Sequence, residues 1–220
     1  MRAVAKGVRR TKSRFGARLE PFTHVDVMIH PGRSLDVITQ AEVIRPYGAP
    51  LAGDYPRYTA GTAMLETAER FTPMEKEPAL RQFLLLIGGL RTLGETEDDE
   101  TGQEAREPRL VLDAFLLRSL AVAGYAPALE ECARCGARDT ALTAFAVAAG
   151  GMVCAGCRPP GAASPGAPTV ALMLALLRGD WDAAMRSERR HRVECSGLVA
   201  AYLQWHLEHS IRSLRHVERA

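Results

Sequence analysis

Hydrophobic and polar residues alternate in the first part of the chain, as they do in a half-buried strand. The alternation predicts a β-hairpin whose two strands are joined by a turn at residues 30–33. The positions expected to bury one face of it are Val25, Val27, Ile29, Leu35 and Val37. Residues 2–8 are interpreted as a third strand. Three strands would leave two open edges, so we expect further structure to cover them.

Beyond the proline- and glycine-rich residues 46–56 the hydrophobic period becomes helical. Asp54 is placed to cap the first helix, which is expected to end at about Phe71. The other predicted helices cover residues 78–93, a segment that begins at Pro108, and residues 170–177 and 194–217. Their interrupted order predicts a helical bundle that carries an inserted small module.

These patterns predict an α+β protein with a β region at its N-terminus. The predicted divisions are a β region at 1–46, helical segments at 54–127 and 168–220, and a cysteine-containing module at 128–160. Residues 161–168 are rich in glycine, alanine and proline and are interpreted as a linker.

The composition is that of a globular protein, and the charge is unevenly distributed. Hydrophobic residues make up 47% of the 220 residues and the net charge is only +2. Residues 1–19 nevertheless hold seven basic residues and no acidic one, whereas residues 95–108 hold seven acidic residues and one basic residue. The acidic stretch is too polar to pack and is expected to be a mobile loop. No apolar run is long enough to cross a bilayer, so we expect no membrane association.

Four of the five cysteines form two C-x-x-C pairs separated by eighteen residues: Cys132, Cys135, Cys154 and Cys157. A two-residue gap lets a tight turn direct two thiolates at one ion, so the two pairs predict a single four-cysteine zinc site. Gly136 and Gly156 fit the turns that such a site requires. Four cysteine ligands leave no coordination position for water, which predicts one structural rather than catalytic Zn²⁺.

The cysteines also allow other interpretations. Two independent redox pairs or buried free thiols would have the same composition, and five cysteines fit a reducing compartment, hence the cytoplasm. A zinc deaminase needs H-x-E before its cysteine pair, whereas His206 and Glu208 follow both pairs here. Cys195 stands alone in a helical segment and is interpreted as a core residue.

The basic N-terminal segment is a candidate site for nucleic acid. Its candidate contacts are Lys6, Arg9, Arg10, Lys12, Arg14, Phe15 and Arg18. The cations would neutralise phosphates, and the aromatic ring would offer a face on which a base could stack. A solvated basic loop would have the same composition. A weaker second patch comprises Arg186, Arg189, Arg190, His191 and Arg192.

Several segments resemble the RecO family of DNA-repair proteins. The resemblance is carried by residues 4–15 (VAKGVRRTKSRF), 19–22 (LEPF), 116–120 (LLRSL) and 124–127 (GYAP), followed by the cysteine pairs in the family's order. It implies an N-terminal OB-fold, a helical domain and a four-cysteine zinc module. In that family the OB-fold is a β-barrel, and Met1 of this chain corresponds to a position inside it. Residues 1–46 are therefore expected to form a partial OB-fold. This implies a truncated chain or a wrongly chosen start codon.

The same resemblance implies a recombination mediator that is not an enzyme. Such proteins bind single- and double-stranded DNA and anneal complementary strands. They act with RecR and single-strand-binding protein to load RecA, which implies a cytoplasmic, nucleoid-associated protein. Two alternatives stay open: a zinc-stabilised helical adaptor that does not bind DNA, and a C-x-x-C thiol-disulfide oxidoreductase.

Overall fold

A computed structural model describes residues 3–13, 15–75, 77–95 and 105–207 of the chain. Its strands are β1 (Ala3–Val4), β2 (Thr23–His30), β3 (Asp36–Pro46), β4 (Leu142–Ala146) and β5 (Gly151–Cys154). Its helices are α1 (Gly48–Ala52), α2 (Tyr55–Phe71), α3 (Leu80–Gly94), α4 (Pro108–Val122), α5 (Ala167–Arg178), α6 (Trp181–Met185) and α7 (Arg189–His206). The mixed α+β class is therefore confirmed. Arg14, most of the acidic stretch and the end of the last predicted helix lie outside the described residues.

The N-terminal strands form one three-stranded sheet in the order β1-β3-β2. Strands β2 and β3 are antiparallel and make the predicted hairpin, in which the amide of Gly32 donates to the carboxylate of Asp36 across 3.2 Å. Strand β1 runs parallel to β3. Within the described part of the chain these strands make an open sheet and no closed barrel.

Two details of the predicted β region are wrong. The valines and isoleucine expected on the buried face are partly buried, and the residues that alternate with them on β2 are exposed, as predicted, but Leu35 lies exposed outside both strands. The first strand ends at Val4 because the chain then turns, with Gly7 in a left-handed conformation at a φ of 78°. Neither face of the sheet is therefore fully buried, since Ala41 is the one residue of strands β2 and β3 that is buried.

Phe22 attaches the sheet to the helices. Its ring is buried and meets the ring of Tyr58 edge-on, with 5.4 Å between their centroids. A Cβ atom at Gly61 of α2 would lie 2.9 Å from this ring, so only glycine permits so close an approach. The amide of Tyr47 donates to the carbonyl of Phe22 across 2.9 Å, which closes the base of the hairpin.

The predicted beginnings of two helices are confirmed. Asp54 caps α2, accepting from the amide of Arg57 across 2.9 Å, and α2 ends at Phe71 as the pattern predicts. Pro108 begins α4, where its missing N–H costs no hydrogen bond. Helix α3 begins at Leu80, two residues later than its proline suggested.

Helix α4 lies at the centre of the helical domain and is buried on nearly all sides. Helices α2, α3, α5 and α7 all contact it. Three of its polar residues, Arg109, Asp113 and Ser119, are therefore buried as well. Asp113, only 2% exposed, accepts from the hydroxyl of Ser196 across 3.1 Å, and its other oxygen has no partner in the part of the chain described. Burial raises the pKa of the Asp113 carboxyl to about 7.

We expect this carboxyl to make the protein less stable as the pH rises. Because the pKa is raised in the folded state, the stabilisation is complete below the unfolded pKa of about 4 and is lost as the pH passes through about 7. Between these pH values the free energy of unfolding should fall by on the order of 2–4 kcal/mol in the wild type because of this carboxyl, and Asp113→Asn should abolish that fall. Urea unfolding at acid and slightly alkaline pH measures it, and the exposed Asp139→Asn serves as the matched control. Equal pH dependence in wild type and Asp113→Asn would contradict the prediction.

Candidate metal centre

The first cysteine pair is held by a backbone turn that needs one glycine. The amide of Gly136 donates to the carbonyl of Cys132 across 2.8 Å, and Gly136 has a φ of 72°. That left-handed conformation is costly for other residues, so the glycine expected here is required. The amide of Ala133 donates to the carbonyl of Met152 across 2.8 Å, which fixes this turn to strand β5.

The second pair begins where β5 ends. Cys154 is the last residue of the strand, and residues 155–157 form a single 3-10 turn that carries Cys157 back toward the first pair. Gly156 is not among the residues with positive φ, and a Cβ atom there would meet nothing within 4 Å. The expectation that this turn requires a glycine is therefore wrong.

The two turns bring all four predicted ligands together. The Sγ atoms of Cys132, Cys135, Cys154 and Cys157 all lie within 4.8 Å of one another. Four sulfurs bound tetrahedrally to an ion at about 2.3 Å would lie about 3.8 Å apart, so only small side-chain movements separate this arrangement from a metal shell. The four cysteines can hold one metal ion, and thiolate donors suit a soft or borderline ion.

The thiols do not share the same acidity. Hydrogen bonding to the sulfur of Cys132, first from the amide of Cys154 across 3.5 Å, lowers the pKa of this thiol to about 6. The neighbouring thiols of Cys154 and Cys135 raise the pKa of Cys157 to about 12. One thiolate is thus favoured in the cluster, while a second negative charge so close to it is not. A bound cation would remove that repulsion, because its charge favours ionisation of every ligand.

The centre is built on a small hairpin, β4–β5, that packs against helix α7. The ring of Phe145 on β4 meets that of Tyr202 edge-on at 5.6 Å, and the Tyr202 hydroxyl donates to the carbonyl of Gly150 across 3.3 Å. A Cβ atom at Gly151 would lie 2.3 Å from the carbonyl oxygen of Ala128, so the chain passes very close here. These supports were missed in the sequence, although Phe145 lies between the cysteine pairs.

The basic N-terminal segment is exposed. After β1 the chain makes consecutive turns, in which the amide of Arg10 donates to the carbonyl of Gly7 and that of Ser13 to the carbonyl of Arg10. The side chains of Lys6, Arg9, Arg10 and Lys12 are exposed, and the described residues offer none of them an ion pair. Arg18 is also exposed and donates to the carbonyl of Ala41 on β3 across 3.2 Å.

Phe15 does not fit the role that the sequence suggested for it. Its side chain is only 2% exposed, and a base can stack only on a ring face that is accessible. In this structure the ring is therefore buried and offers no accessible face to a base. An aromatic residue among cations looks the same in sequence whether it packs inward or faces solvent.

Two arginines of the weaker basic patch make contacts within the protein. Arg192 donates to the carboxylate of Glu107 across 2.5 Å, to the hydroxyl of Ser187 across 3.0 Å and to the carbonyl of Met185 across 2.6 Å. Arg190 pairs with Glu188 at 3.1 Å. Arg192 therefore fastens α7 to the start of α4, which the sequence did not indicate because Glu107 is 85 residues away.

The fold and the site define a class of protein: an α+β protein in which a small open sheet precedes a helical domain, with a module whose four cysteines could hold a metal ion. Among the helices that the structure describes, none has the length and apolarity needed to cross a lipid bilayer. The family model described as "Recombination protein O C terminal" matches residues 52–215, and "Recombination protein O N terminal" matches residues 1–47. The chain belongs to the RecO family.

Curated relatives agree with this assignment. A protein of Thermobifida fusca named "DNA repair protein RecO" is 67% identical over the whole chain, which covers 87% of that relative. Proteins of the same name from Frankia casuarinae and Streptomyces griseus are 60% and 58% identical, and the chain again spans all of itself and 87% of each. Membership of this family supports a role in DNA repair.

We expect the purified protein to carry one metal ion on the four cysteines. Cys135→Ser should reduce the metal content from about one ion per chain to well below half, because three thiolates bind far more weakly than four. Cys195→Ala is the matched control, since Cys195 is buried outside the cluster and its loss should leave the metal content unchanged. Elemental analysis of both variants measures this, and wild-type protein with less than half an ion per chain would refute it.

Proposed function

We propose that this protein is a recombination mediator that binds DNA, anneals complementary single strands and helps RecR load RecA onto single-stranded DNA. The observation that carries the proposal is the exposed basic segment in a chain of the RecO family. Lys6, Arg9, Arg10 and Lys12 have no ion pair within the described residues, so their charge is available to an external anion.

Phosphates are the anions that this segment suits best. Four exposed cations within seven residues create a local positive field, although the net charge of the whole chain is small. Contacts of this kind bind nucleic acid by releasing counterions and carry no base specificity. Binding to both single- and double-stranded DNA follows from such a mode, because both present the same phosphates.

The metal is proposed to be a single structural Zn²⁺. Zinc accepts four thiolates in a tetrahedron, and the closeness of the four sulfurs supports that coordination. With four protein ligands no position is left for a substrate or an activated water. The protein is therefore proposed to act without catalytic turnover, with the ion stabilising the module that packs against α7.

The proposed partners are DNA, RecR and single-strand-binding protein, with RecA affected indirectly. Family membership supports them, as do the relatives' names as DNA repair proteins. The proposed site of action is the cytoplasm, at the nucleoid.

The two alternatives are less well supported. A thiol-disulfide oxidoreductase needs an accessible thiolate, whereas the thiol whose pKa is lowered belongs to Cys132, which is buried. An adaptor that does not bind DNA would leave the exposed cations of the N-terminal segment without a role. Salt-dependent DNA binding distinguishes that adaptor from a mediator.

Affinity for single-stranded DNA should fall steeply with salt. If about four to six cations contact phosphates, the logarithm of the binding constant should fall with a slope of about −3 to −4 against the logarithm of salt concentration. Changing Arg9 and Arg10 together to Ala should flatten this slope by about 1 to 1.5, whatever the base sequence. Fluorescence anisotropy with a labelled oligonucleotide at several salt concentrations measures it.

The matched control changes Arg138 and Arg178 together to Ala. Both side chains are exposed, and each already pairs with a glutamate. We expect the slope of this variant to equal that of wild type. A slope left unchanged by the loss of Arg9 and Arg10 would mean that the segment is a solvated loop, and Arg189 would then be tested next.

Phe15→Ala should reduce stability rather than remove a stacking contact. Deleting a buried phenyl ring costs about 3–5 kcal/mol, whereas losing a base-stacking contact would leave the free energy of unfolding unchanged. Phe15→Leu should retain most of the stability and the DNA affinity, because it preserves an apolar side chain at a buried position. Unfolding and binding are measured on the same samples. Weak DNA binding by a Phe15→Leu protein of wild-type stability would restore the stacking role.

A further inference from the structure

An apolar groove lies between the C-terminal half of α2 and the N-terminal half of α3. Its volume is about 580 Å³, and its apolar lining includes Leu65, Ala68, Met74, Leu80, Phe83 and Leu86. Leu80 is 65% exposed and Met74 is 66% exposed, so large apolar side chains border it in contact with solvent. Exposed apolar surface gathered into one concave site is typical of a surface that binds a partner.

The groove also contains a buried polar group that lacks a partner. Gln82 lines the groove and is only 4% exposed. Its Nε2 donates to the hydroxyl of Ser119 across 3.0 Å, while its Oε1 has no hydrogen-bond partner in the part of the chain described. An unpaired buried acceptor is unfavourable, and an N–H donor from a bound molecule would satisfy it once the Gln82 amide turned to face the groove.

The charge of the groove indicates what kind of molecule it suits. Glu69 and Glu77 both line it and are exposed, and no basic side chain is among its described lining residues. Arg81 lies instead in an adjoining cavity of about 490 Å³. Carboxylates repel phosphates, so nucleic acid and anionic lipid headgroups are poor occupants, whereas a basic polypeptide is complementary.

We propose that this groove is a docking site for a protein partner that inserts an amphipathic helical segment carrying apolar anchors and at least one Lys or Arg. The volume accommodates a few apolar side chains, as helix-in-groove recognition requires. A donor group of the segment pairs with Oε1 of Gln82, and its basic side chain lies near Glu69 and Glu77. This site is separate from the metal centre and from the basic segment, so it does not depend on DNA binding.

The probe is a fluorescein-labelled, end-capped helical peptide of fourteen leucines and lysines (about four turns), compared with the same peptide carrying Glu in place of Lys. Anisotropy titrations use the whole 220-residue chain. We expect the lysine peptide to bind at least about tenfold more tightly than the glutamate peptide. Leu80→Asp should weaken its binding at least about tenfold, because it places a charge among the apolar anchors. Changing Glu69 and Glu77 together to Lys should reverse the preference between the two peptides.

Leu84→Asp is the matched control. Leu84 lies on the same helix and is 57% exposed, but it does not line this groove, so its variant should bind like wild type. Gln82→Met tests the orphan acceptor and should weaken binding about threefold to tenfold while thermal unfolding shows the fold retained. Equal binding of the two peptides, no binding by wild type, or equal losses from Leu84→Asp and Leu80→Asp would overturn the proposal. So would sedimentation in which Leu80→Asp converts a dimer into a monomer, since the occupant would then be a second copy.

Discussion

Helix α4 is the element on which the rest of the helical domain depends, because four other helices pack against it. A helix that is buried on nearly every side cannot leave its polar residues to water, so each must find a partner on a neighbour. Arg109 and Asp113 reach Ser196 on α7, and Ser119 accepts from Gln82 on α3. The contact made by Ser119 also fixes Gln82 in the groove between α2 and α3. The need to pair the buried polar residues of α4 thus affects both the core and the groove between α2 and α3.

The metal centre is coupled to the same core through a short chain of contacts. Strand β4 presents Phe145 to Tyr202 of α7, and α7 packs against α4. The free energy of binding an ion to four thiolates would contribute to the free energy of folding, because the cysteines are not held together in the unfolded chain. Through the β4–β5 hairpin, binding of an ion would support the packing of α7, and so of the helical domain. The structural role proposed for the ion therefore rests on this connection as much as on its four ligands.

Features that depend on a few consecutive residues could be predicted from the sequence. The Asp54 cap and the helix that begins at Pro108 follow from local backbone chemistry, and the grouping of the four cysteines follows from the two-residue gap within each pair. The predictions that proved wrong concern features that depend on contacts between residues distant in sequence. Phe15 is buried, although its neighbours in sequence are charged, and the residues expected on the buried face of the hairpin are only partly covered. Neither outcome has a local signature.

The uneven charge of the chain separates two kinds of surface. The exposed cations of residues 6–12 suit phosphates, whereas the carboxylates of Glu69 and Glu77 repel them and flank apolar side chains. Surfaces of opposite charge on one protein do not compete for the same ligand, so the proposed binding of DNA and the proposed binding of a basic protein segment are compatible with each other. The proposed mediator would have to hold a nucleic acid while it contacts other proteins, and separate surfaces of opposite charge would meet that requirement.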